Sequence, residues 1–182
     1  PVVIKAGTKS AAITVNVADN MLNEDDKTVV VSMGMPTHAV QGKTTMSAVT
    51  ILNTTPEPAV TFTEASQQVK ETAGSATIGV ELSAVSGRDV VVPLMVSGTA
   101  RTPSNYTITP GPVVIKAGTK SAAITVNVAD NRLSEGDKTV VVSMGVPTHG
   151  VQGRTTTSTV TITDTTSPTP AVSFLHATSQ GD

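Results

Sequence analysis

The sequence predicts an all-β chain of tandemly repeated, immunoglobulin-like antiparallel β-sandwiches, and three observations lead there. Residues 1–55 recur almost letter for letter at 112–166, an offset of 111, which is the signature of a tandem array. Aromatic residues make up 2% of the chain, Cys and Trp are absent, and Val, Thr, Ser and Ala abound; branched side chains suit strands and leave Val, Ile, Leu and Met to build the core. Within the repeat, apolar residues alternate with polar ones in short runs, the pattern of a sheet with one wet face.

Taken in order, Val60 and Phe62 mark an opening strand, and Ala76, Ile78, Val80 and Leu82 a second. Residues 88–96 are less regular: Val90, Val91 and Val92 run without alternation, and Pro93 removes a ladder donor, which points to an edge strand or a bulge. Val113 to Ile115 gives a short strand. Ala122, Ile124, Val126 and Val128 then share one face, followed by Val140, Val142 and Met144, and finally by Val160 and Ile162. Seven or so short strands with Gly, Pro and Asn turns fit two packed sheets.

The register of the repeat sets the expected domains. Residues 58–111 precede the second copy but have no counterpart before the first, and PAVSF at 170–174 echoes PAVTF at 58–62. We therefore expect the C-terminal part of one repeat at 1–55, a complete repeat at 56–167, and the opening strand of a further repeat at 168–182. Residues 1–55 would expose apolar faces and strand edges by themselves. Their expected partners are neighbouring repeats, supplied by preceding sequence of the same chain or by another copy through strand donation in a self-assembling filament.

A repeat of about 110 residues can bury a core without staples, so the absence of Cys requires no disulfide and assigns no compartment. A formal charge of −2 provides no pull toward nucleic acid or anionic lipid. No apolar run approaches the roughly 20 residues of a membrane-spanning helix.

Several segments carry a family resemblance: VKETAGS at 69–75, SGTARTPSNY at 97–106, IKAG at 115–118, ITVNVADN at 124–131, LSEGDKT at 133–139 and TVTITD at 159–164. Together they resemble a Calx-beta domain, a module repeated in bacterial surface proteins and used as a calcium sensor in sodium/calcium exchangers. The resemblance implies an extracellular or cell-surface location and Ca2+ as the cofactor to test, with Glu71, Asp130, Glu135, Asp137 and Asp164 as the residues matching family ligands. Calcium takes six to eight oxygens and owes its affinity largely to carboxylates. Here Asn105 and Asn131 stand where the family has acids, Lys138 follows Asp137 in place of another, and Thr165 and Thr166 replace the closing cluster. The first copy has Asp19, Asn20, Glu24, Asp25 and Asp26, but Lys27 and Asn53 repeat or extend the loss. The residues themselves favour a structural turn at Glu135-Gly136-Asp137, with acids solvated or bonded to backbone N–H groups.

No enzyme is expected. His38 and His149 are one repeat position, His176 has no acid or Cys recurring beside it, and no phosphate loop, metal-spaced His cluster or nucleophile elbow is present. Sequons at Asn53 and Asn105 would be glycan acceptors in a eukaryotic secretory protein. The joints NTTPEP at 53–58 and DTTSPTP at 164–170 hold two prolines each and no Gly, which favours semi-rigid spacers. The function expected is a stiff extracellular rod, as the stalk of an adhesin or the body of a filament, with a calcium-responsive module as the alternative. A carbohydrate-binding module would need an exposed aromatic platform, for which Phe62, Tyr106 and Phe174 are the candidates.

Overall fold

The computed structural model of the chain describes residues 1–166 and 171–173. Two compact units divide it, Pro1–Pro56 and Glu57–Asp182.

The second unit is a two-sheet sandwich. The alternating residues of β5 (Ser75–Leu82) and β10 (Ser121–Val128) pair antiparallel at the centre of a five-stranded sheet. β3 (Ala59–Phe62) and β12 (Val151–Gln152) flank β5, and β8 (Tyr106–Ile108) flanks β10. The facing sheet runs in the order β4 (Ser66–Lys70), β13 (Thr157–Thr163), β11 (Lys138–Met144), β7 (Leu94–Gly98). β6 (Val90–Val92) pairs with β9 (Val113–Ile115).

Every apolar position picked out by alternation in this unit points inward except Ala122, which packs partly buried against the core. Val60, Val80, Ile115, Ile124, Val126, Val140, Val142 and Val160 are wholly buried, with Phe62 and Leu82 nearly so. Each such side chain contributes about 1.5–3 kcal/mol by leaving water. Phe62 and Tyr106 belong to this core, so neither supplies a sugar-stacking platform; Phe174 and His176 lie outside the described residues.

Three features differ from the expected pattern. The opening segment is two strands: β3 ends at Phe62, and β4 begins at Ser66 in the opposite sheet. Both make parallel pairs, β3 with β12 and β4 with β13, so the sandwich is not wholly antiparallel. Alternation reports which face is buried and carries no information on the direction of a partner strand. At the irregular stretch, Pro93 ends β6, and the chain continues as β7, an edge strand of the other sheet; the Pro93 carbonyl still accepts the Gly145 N–H at 2.8 Å. A 3-10 turn, Glu71–Ala73, is the third, closed by Gly74 at φ 79°. Of the further repeat's opening strand expected at 168–182, only residues 171–173 are described, and they are exposed; the rest lies outside the described residues.

The first unit contains β1 (Lys27–Ser32) and β2 (Met46–Ile51), an antiparallel pair. Residues 1–22, which repeat β9 and β10 in sequence, form no strand. In the second unit β10 is hydrogen-bonded on both sides, by β5 and β8, and those two strands lie within residues 58–111, which have no counterpart among residues 1–55. A strand with neither neighbour leaves its backbone groups to water.

Candidate metal centre

Four of the five candidate ligands meet at one end of the second unit's sandwich, joined by hydrogen bonds. The 3-10 turn after β4 buries the Glu71 side chain. One of its carboxyl oxygens, Oε1, accepts the Thr165 N–H at 2.9 Å, the Thr165 hydroxyl at 3.1 Å and the Thr166 hydroxyl at 3.0 Å. Asp164, where the chain leaves β13, accepts the N–H groups of Glu135 and Gly136 on Oδ2 at 2.7 and 2.9 Å, and that of Thr166 on Oδ1 at 2.8 Å. Asp137 Oδ1 accepts the Asp164 N–H at 3.1 Å.

Glu135 is bound by side chains. Its Oε1 accepts the amides of Asn105, at 2.6 Å, and Asn131. The Lys138 ammonium lies 3.5 Å from Oε2 and donates to the carbonyls of Glu135 at 2.6 Å and Gly136 at 3.3 Å. Asp130 takes no part in the cluster: its Oδ1 accepts the Arg132 N–H at 3.0 Å, holding a turn in which Arg132 has φ 57°.

The carboxyl oxygens thus face N–H and O–H donors, and among the described residues no group of three or more His, Cys, Asp or Glu is placed to hold a metal ion. The members that ligand-matching missed are the donors Thr165, Thr166, Asn105, Asn131 and Lys138. Each sits where an acid was expected, so substitution of acid by donor was the available signal. Asn105 is buried, and its carbonyl oxygen accepts the Arg101 N–H at 2.9 Å while its amide binds Glu135; a glycan on that nitrogen is incompatible with this packing.

Electrostatics follow the geometry. The Thr166 N–H, then those of Gly136 and Glu135, hold the Asp164 carboxyl down from its ordinary 3.8 to about 2, against partial burial. The Asn131 and Asn105 amides, then the charge of Lys138, keep Glu135 below the usual carboxylate range. Below about pH 4 the unfolded chain takes up the Asp164 proton before the folded one does. The stability this residue contributes is therefore present above pH 3.8 and is lost as pH falls through about 2. Thermal melts between pH 5 and 2 should fall more steeply for the wild-type chain than for Asp164→Asn.

The first copy repeats part of this network. Asn20 and Lys27 bind Glu24 Oε1 at 2.9 and 2.5 Å, Asp19 Oδ1 accepts the Met21 N–H, and Asp26 Oδ1 accepts the Asn53 N–H. Asn53, standing in for Asp164, keeps the acceptor role toward Thr55 N–H and turns its amide to the Leu22 carbonyl. An amide nitrogen cannot accept the two N–H groups that Asp164 Oδ2 takes. Outside this end, His149 Nδ1 lies 3.0 Å from the Asp89 carbonyl, a structural contact between the loop and the start of β6.

Among solved structures, the chain is similar to the apo-form Calx CBD1 domain, with 20% identity and a TM-score of 0.54 over 59% of this chain and 96% of that one. The Calx CBD2 domain is similar at 18% identity and a TM-score of 0.53, covering 59% and 86%. The calcium binding domain CBD12 of CALX1.1 is similar at 20% identity and a TM-score of 0.52; there the chain covers 58% of its own length and 44% of the other. These likenesses establish the fold. No curated protein matches the chain. The family model of the Calx-beta domain matches twice, at residues 2–55 and 53–166, and the chain accordingly belongs to the Calx-beta domain family.

Proposed function

We propose that this chain is a calcium-independent spacer of an extracellular or cell-surface protein, one segment of a stiff tandem array serving as the stalk of an adhesin or the body of a filament. The observation that carries this reading is the Lys138 ammonium, set against the Glu135 carboxyl and two backbone carbonyls. An ammonium brings one positive charge and three donors to oxygens that could otherwise serve a cation, and it repels a divalent ion. Lys27 repeats the contact with Glu24 in the first copy. Support for the rod comes from the joint at 53–58: its prolines fix φ, and Pro58 is buried, with its carbonyl accepting the Val151 N–H at 3.0 Å.

Calorimetric titration of the full chain with calcium chloride should give no saturable heat below about 1 mM, and scattering profiles in calcium and in chelator should superimpose. Lys138→Asp, which restores a carboxylate and removes the competing cation, should bind calcium in the range of about 0.1–1 mM typical of extracellular modules. Saturable sub-millimolar binding by the unsubstituted chain would overturn the reading. It would favour a calcium-responsive module, for which the gathering of Glu71, Glu135, Asp137 and Asp164 at one end speaks, together with the likeness to a protein described as a calcium binding domain.

A further inference from the structure

We draw no further inference here: the strongest candidate, the outward face of the β1–β2 hairpin, where Met46, Ala48 and Leu52 stand in place of Thr157, Thr159 and Thr163 and lie exposed with Val30, carries none because nothing in the structure shows what covers it.

Discussion

Replacement of Glu71 by alanine should lower the stability of the second unit by about 3 kcal/mol, measured by denaturant unfolding of the full chain. The carboxyl is buried and gathers three donors, the Thr165 N–H and the hydroxyls of Thr165 and Thr166. Alanine leaves a hole and unpaired donors at the place where the chain leaves β13, so the loss exceeds that of an exposed acid. Glu71→Gln keeps the volume and one acceptor oxygen and should recover more than half of the loss. An effect below about 1 kcal/mol for the alanine variant would mean that water serves these donors as well as the carboxyl does. Calcium should not alter either value.

A comparable loss, about 3 kcal/mol, should follow Gly98→Ala, for a different reason. Gly98 ends β7 opposite Val140 of β11, with φ 122°, a backbone conformation that L side chains rarely adopt. A Cβ there would stand 2.2 Å from the Thr139 carbonyl oxygen, which accepts the Ala100 N–H at 2.9 Å. Relief requires moving backbone, and it would pull apart the β7–β11 edge together with the contacts of Thr99 to Thr139. Gly118→Ala is the matched control: its φ is 78° but no atom lies within 4 Å of the added methyl, so it should carry conformational strain alone, about 1 kcal/mol. Equal losses in the two variants would show that the clash with Thr139 is relieved at no cost.

Burial was legible wherever period two held, because alternation is the direct imprint of a sheet with one wet face. Val140, Val142, Val160 and Ile162 are all inward-facing as their spacing required. Strand pairing was less legible. Nothing in PAVTFTEASQQVK shows that three residues after Phe62 carry the chain from one sheet to the other, where β3 neighbours β12 and β5 and β4 neighbours β13. At the acidic end the positions were readable but the chemistry was not. A count of charges showed that acids had been replaced at the family's ligand positions; it did not show that Asn105, Asn131, Thr165 and Thr166 turn their donors onto the remaining acids. Such pairing depends on three-dimensional proximity between segments up to 95 residues apart.

β1 and β2 pair in the register of β11 and β13 at all six positions, from Lys27↔Ile51, matching Lys138↔Ile162, to Ser32↔Met46, matching Ser143↔Thr157. The connection between them is kept as well: Gln41 donates to the Met33 and Gly34 carbonyls, as Gln152 does to those of Met144 and Gly145. This hairpin therefore owes its alignment to its own loop and ends, with loop closure over a short span of chain. Its contacts are local in sequence, which is the condition for a hairpin to serve as a nucleus for longer-range strands. During synthesis from the N-terminus, the early strands of each repeat must then wait in the open for the nucleus that follows them, while a finished copy of that nucleus lies just behind; the order of translation itself makes exchange between neighbours a hazard of such arrays.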